Sequence, residues 1–325
     1  MNFSKLKMNS FLVIGRAGLD FYADPPGTRM EDAEHFYATV GGSAANIAVG
    51  IVRLSGHASL LTCVSDDAVG RSAVKKLKAY GVDTDYIRYV GGGVRNTLAV
   101  VETRSENCQS VIYRNGAADF EFGEIDLQGV SFGSFGALIF TGTSLAKEPS
   151  RSATFAAISR AKASGIPVVM DVDYRPYSWI SEEAAAIYLR AATESNIVIG
   201  NDEEFAVMAG NNKSLREGLT LARHLANTSA PIVVYKMGER GSITFSRGQQ
   251  FETPIFPVKA LKPTGAGDAF MATFITSLAS GIKTEEAVKR GSAAAAIVVS
   301  RVGCAPAMPT EDELKNFMSN NTSKI

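Results

Sequence analysis

Short apolar runs alternate with helical segments along this chain, and that alternation restricts the fold more than any single motif. FLVIG from Phe11, HASLLTCV from His57, GALIF from Gly136, IPVVM from Ile166, NIVIG from Asn196 and APIVVY from Ala230 read as strands with almost no polar residue. Strands of that kind are buried on both faces, which calls for a mostly parallel sheet with helices on either side. The covering helices are predicted in GGSAANIAVGIVRLSG from Gly41, GRSAVKKLKAYGV from Gly70, SRSATFAAISRAKASG from Ser150, SEEAAAIYLRAATES from Ser181 and LREGLTLARHLAN from Leu215. Two stretches leave the rhythm. Residues 21–40 are aromatic and turn-rich, and residues 86–115 alternate in polarity. Together they are predicted to form a small antiparallel β lid over the main domain. Residues 11–315 then form one domain, with 1–10 and 316–325 as terminal extensions.

Open sheets of this class bind ligands outside the carboxyl ends of their strands. Five polar clusters are predicted at that edge: Asp20, Asp171 to Arg175, Asn201 to Glu204, Lys236 to Gly241, and Asp268. The last lies in PTGAGDAFMATF from Pro263, where Gly265, Ala266 and Gly267 precede a helix marked by Phe270, Phe274 and Leu278. Backbone N–H groups at a helix start lack intrahelical partners and face the positive end of the dipole, so such a tip binds anions. An acid there repels a phosphate, but it suits a general base that takes the proton of an attacking hydroxyl. The competing reading is an N-cap aspartate on a core helix. Gly41, Gly42 and Ser43 open a second helix in the same way, with Asn46 in its first turn.

Composition narrows the class. The chain has 325 residues, and its 33 basic residues balance 33 acidic ones. That balance gives no reason to expect a nucleic acid or membrane surface as partner. No apolar run approaches the ~18 residues of a membrane span. Cys63, Cys108 and Cys304 are far apart, without a CxxC pair, which points to a reduced cytoplasmic setting and away from a thiolate metal site.

GGSAANIA and PTGAGDAFMATF, in that order, resemble the two signature regions of the ribokinase-like (PfkB) sugar kinases, and the likeness runs over about residues 11 to 312. DVDYRPYSW, VIGNDEEF and AAAAIVVSRVGCAPAMPT further resemble its sugar-acid kinases. The resemblance implies a three-layer αβα sandwich and ATP-dependent phosphorylation of a primary hydroxyl. It implies Asp268 as base and the N–H groups of Gly265, Ala266 and Gly267 as an anion hole. Asn201 and Glu204 match the N-x-x-E motif that organises Mg²⁺, often through water. Lys236, Gly238 and Gly241 match the turn beside the nucleotide, and the helix from Gly291 would border the adenine. Asp20, Gly42 and Asn46 match positions that bind sugar hydroxyls. For a substrate carboxylate, Arg114, Arg175 and Arg16 are the candidates, since a guanidinium grips a carboxylate with two prongs. Arg114 and Arg175 could instead pair with Asp119 and Asp173.

One departure concerns K⁺. Many ribokinases carry an aspartate of a monovalent-cation site where Lys262 stands here. A lysine amine can stand in for that ion, which puts K⁺ activation in doubt. A lid with open edges and apolar faces further leads to the expectation of a homodimer. The alternatives within the resemblance are a kinase of 2-keto-3-deoxygluconate or of a neutral sugar such as ribose or fructose, and, from another class, a non-catalytic sugar- or nucleotide-binding protein.

Overall fold

A computed structural model describes residues 3–104, 108–179, 181–210 and 213–321. The N-terminal half supplies β1 (Ser10–Ile14), β2 (Gly18–Asp24), β3 (His35–Gly41), α1 (Ser43–Arg53), β4 (His57–Ser65), α2 (Ala68–Ala79), β5 (Ile87–Val90), β6 (Thr97–Val101) and β7 (Ser110–Tyr113). Then come β8 (Ala137–Thr141), α3 (Ser150–Ala163), β9 (Val168–Asp171), α4 (Ser181–Thr193), β10 (Ile197–Asn201), α5 (Asp202–Ala209) and α6 (Leu215–Thr228). The chain closes with β11 (Ile232–Lys236), the hairpin β12 (Ser242–Ser246) and β13 (Gln249–Thr253), α7 (Ala266–Ala279), α8 (Thr284–Val299) and α9 (Glu311–Asn321).

The large sheet runs β13-β12-β11-β10-β9-β8-β1-β4-β5. It is parallel from β11 to β5, and β12 and β13 add an antiparallel edge. Alternate residues of each strand face opposite sides. Phe11 and Val13 of β1 pack into a core shared with α1, α7 and α8, while Leu12 and Ile14 pack into the one under α3, α4 and α6. Those two cores make the three layers that the apolar strands required.

The small sheet, β3-β2-β6-β7, is the lid. Its outer pairs are antiparallel and its middle pair, β2 with β6, is parallel. Two expectations shift here. Ile87–Val90, read as lid, is instead β5, which pairs with β4 at the edge of the large sheet. Asp20, read at the end of the first core strand, sits inside β2 of the lid sheet. The core strand stops at Ile14, and Gly15, at φ 148°, turns the chain into the lid. Beyond residue 315, α9 continues to Asn321 and lays Phe317 against Phe256 at 5.5 Å.

Candidate active site

Strand register puts the polar clusters on one edge. Thr141 at the end of β8 aligns with Asp171 at the end of β9, and Asn201 of β10 aligns with Lys236 of β11. These ends border a cleft of about 690 Å³ between the large sheet, the lid and the start of α7. Every sequence-predicted site residue except Arg114 lines it. Ala99, Val101, Ser110 and Ile112 of the lid form its roof, and Ser292 and Ala295 of α8 close the end near Lys236. Ligand pockets at such strand ends are the rule for open α/β sheets.

Asp268 lies in the first turn of α7. Burial, together with the repulsion of Asp173, pushes its carboxyl up to about 6, against the Asn46 hydrogen bond and the nearby Arg175 and Arg16. Asn46 Nδ2 donates to Asp268 Oδ2 at 2.8 Å, so the two glycine-opened helices meet at this carboxylate. Gly265 caps α7 in the left-handed region at φ 84°. A Cβ there would come within 2.8 Å of Cys304 Sγ, so both conformation and space demand glycine. A Cβ on Gly267 would stand 3.3 Å from Lys236 Nζ, which places that ammonium directly beside the helix tip.

On the lid side, Asp20 is also pushed up to about 6 by burial, with Arg16 opposing. Tyr22 Oη donates to Asp20 at 3.3 Å and lies 3.1 Å from Cys304 Sγ. Gly41 is the reason the Asp20 carboxylate fits, because a Cβ there would overlap it. Three buried polar atoms of the cleft lack a hydrogen-bond partner among the described residues: Arg16 Nε, Asn46 Oδ1 and Thr264 Oγ1. Buried polar atoms are almost always satisfied, so orphans gathered in one cleft call for a ligand.

The arginines divide. Arg175 bonds Asp173 at 2.6 Å but stays 41% exposed and faces the cleft. Asp173, with φ at 37°, also accepts hydrogen bonds from Ser43 and Thr143. Arg16 is buried, and its Nε finds no partner among the described residues. Arg114 is the correction. Its side chain is 3% exposed, it pairs with Asp119 through two nitrogens at 3.0 and 2.5 Å, and it also donates to the Thr143 carbonyl. It lies outside the cleft, and Asp119 engages its Nε and Nη2, while Nη1 has no partner among the described residues.

At the other end, Glu204 and Asn201 form a capping box on α5, with Asn201 Oδ1 accepting from Glu204 N at 2.8 Å. Both Glu204 oxygens are occupied, accepting from the backbone of Tyr174 and Asn201 at 3.1 and 2.7 Å. Burial raises its carboxyl above the ordinary range, and Lys236 opposes the shift. Burial also raises Asp171 well above that range, with Asp173, Glu204 and Asp268 adding repulsion and Lys236 opposing. Gly238 and Gly241, both at positive φ, turn the chain past Lys236. Among the described residues no three His, Cys, Asp or Glu side chains converge on a metal position by themselves. Sequence reasoning placed Asp171 and Asp173 only within a polar cluster, with Asp173 as a possible partner of Arg175, and it did not bring Tyr22 or Cys304 to the cleft. The D-x-D spacing of DVDYRP was the available signal for the first two, while the contact of Tyr22 with Cys304 joins residues 282 apart.

A helix tip with glycines, a raised carboxylate beside it, and cations facing it from two sides together define a phosphotransferase site on a doubly covered α/β sheet. The sequence matches the pfkB family of carbohydrate kinases over residues 8–311, and the chain belongs to that family. A 5-dehydro-2-deoxygluconokinase from Photobacterium profundum is 41% identical over 321 residues, covering 97% of this chain and 96% of its own length. Another from Geobacillus kaustophilus is 37% identical, at 98% and 96% coverage. Among solved structures, a double mutant of the fructokinase from Vibrio cholerae O395, with fructose, ADP and a potassium ion bound, superposes with a TM-score of 0.81. It is 26% identical and covers 95% of this chain and 98% of its own.

Proposed function

We propose that this carbohydrate kinase transfers the γ-phosphoryl group of ATP to the terminal C6 hydroxyl of 5-dehydro-2-deoxygluconate, in myo-inositol degradation. The observation that carries the chemistry is Asp268, raised to about 6 at the tip of α7 and held by Asn46. Its carboxylate takes the hydroxyl proton as the new phosphorus–oxygen bond forms and the bond to ADP breaks. The N–H groups of Gly265, Ala266 and Gly267 face the charge that develops on the phosphoryl oxygens, and Lys236 neutralises it from the side. Gly238 and Gly241 border the nucleotide. Asp20, Gly42 and Asn46 hold the sugar hydroxyls.

Mg²⁺ fits this cleft as an ion that keeps its water. The carboxylates of Asp171, Asp173, Glu204 and Asp268 crowd one region, and both Glu204 oxygens are already engaged, which favours contact through water. Bound there, it supplies charge neutralisation for the polyphosphate. Asn201 and Glu204 are the residues that would orient it.

The acid end of the substrate is met by Arg16 and Arg175. The relatives named for a sugar acid support this, as does the unpartnered Arg16 Nε. We place the enzyme in the cytoplasm, supported by its three free cysteines, as a homodimer with a single kinase domain over 11–315. A coupled ADP-release assay across 5-dehydro-2-deoxygluconate, 2-keto-3-deoxygluconate, ribose and fructose tests the reading. Preference for the first is expected, and Arg16→Ala and Arg175→Ala should raise KM for sugar acids far more than for neutral sugars. Turnover confined to a neutral sugar, or equal losses on both classes, overturns the assignment.

A further inference from the structure

Lys262 is 1% exposed and ranks among the largest fully buried side chains of the molecule, yet it forms no ion pair among the described residues. Lysine is almost never fully buried without a counter-charge in contact. Its Nζ donates instead to the backbone carbonyls of Thr264 at 2.6 Å and Val298 at 3.3 Å, with Cys304 Sγ at 3.9 Å. Burial lowers its affinity for the proton, while Cys304, Asp268 and Asp20 raise it.

The two carbonyls explain what the ammonium does. Val298 belongs to the last turn of α8, at the negative end of the helix dipole, and its carbonyl accepts from Arg301 N at 3.2 Å as well as from the lysine. The Thr264 carbonyl shares a planar trans peptide with the N–H of Gly265, the residue that caps α7. In a trans peptide the C=O and N–H point in opposite directions. Holding the Thr264 oxygen from below therefore turns the Gly265 N–H toward the cleft. A cage of carbonyl oxygens around one positive charge is the environment a K⁺ ion takes, and an ammonium group is of nearly the same size. The Vibrio cholerae fructokinase was solved with potassium. Here the lysine ammonium already fills such a cage, so the residues present do not fit a mobile cation.

We propose that Lys262 is a tethered monovalent cation, a positioning residue that aims the Gly265 N–H at the transferred phosphoryl group and makes turnover independent of added K⁺. The inference rests on the phosphoryl-transfer reading above. Wild-type kinetics in KCl, NaCl and N-methyl-D-glucamine chloride at equal ionic strength should coincide, whereas stimulation by K⁺ overturns the proposal. Lys262→Met fills the space without charge and should lower kcat on the order of 10²-fold, as loss of an anion-hole donor does. Lys262→Ala opens the cage, so K⁺ or NH₄⁺ should restore its kcat and raise its Tm, with no such rescue of Lys262→Met. Full activity in Lys262→Met, or an Ala variant blind to K⁺, also overturns it. If neither variant folds, the cation response of the intact wild-type protein decides. Should no sugar be phosphorylated at all, the kinase reading fails by itself, and K⁺-dependent Tm in wild type against Lys262→Ala still judges the cage.

Discussion

At the scale of single residues, the chemistry turns on carboxylates that the fold keeps uncomfortable. Asp268 and Asp20 both sit at about 6 instead of 3.8, chiefly because of burial. A raised acid binds its proton more tightly folded than unfolded. The stability it contributes is therefore present in full below about 3.8 and is lost as pH rises through about 6. With Asp268 as the base proposed above, catalysis runs the other way, because a base must be unprotonated. The acid limb of kcat/KM is expected near pH 6, with a plateau above. Asp268→Asn should cut kcat by ~10²–10⁴-fold while raising the Tm of the ligand-free protein at pH 7.5, since the amide removes a charge whose burial costs on the order of 3 kcal/mol. Scanning calorimetry and turnover on the same preparation check both halves. A lowered Tm at pH 7.5 would refute the burial argument, and unchanged turnover would remove Asp268 from the mechanism. What was legible at this scale were short polar motifs whose spacing is local, such as G-A-G-D and N-x-x-E. For Arg114 two readings stayed open, a substrate carboxylate or Asp119, because the partner it meets depends on the lid's path; Asp119, five residues on, comes within reach only after the chain has turned.

At the scale of elements, the site depends on where α7 begins. Gly265 takes φ 84°, and a side chain there meets Cys304 at 2.8 Å and Val298 at 3.1 Å. Gly265→Ala is expected to cost about 1–2 kcal/mol from the left-handed conformation alone, with the clash added, and to lower kcat by displacing the anion hole. Repeating the substitution in a Cys304→Ala background should recover part of the lost stability, which a double-mutant cycle of urea midpoints measures. Additive losses would show that Cys304 does not set the position of the turn. Strands and helices of the large sheet were readable because burial on both faces leaves an unbroken apolar run. IRYV of β5 was not, since an edge strand carries no such run and its polarity resembles the lid. The path of β2 was hidden for a similar reason: a glycine at residue 15 gives a turn but not its direction.

At the scale of the molecule, the lid has one satisfied face and one that is not. Along β2 and β6 the residues alternate, so Asp20, Tyr22, Ala99 and Val101 face the cleft, while Phe21, Leu98 and Val100 face out and stay partly exposed. Register extends the outer face to Phe36 of β3 and to Val111 and Tyr113 of β7, which are 41%, 39% and 60% exposed. A contiguous apolar face of this kind marks an interaction surface. Because no further strand pairs with β3 or β7 among the described residues, a second copy packed lid to lid would cover it with a two-fold axis. Sedimentation equilibrium should therefore report a dimer. Val100→Asp and Tyr113→Asp together should yield a monomer, since a charge buried without a partner is costly. The same sheet roofs the sugar site, so loosening the lid should raise KM for the sugar acid more than for ATP. A monomeric wild type would refute the dimer, and a monomeric variant with unchanged KM would show that the lid holds its shape alone.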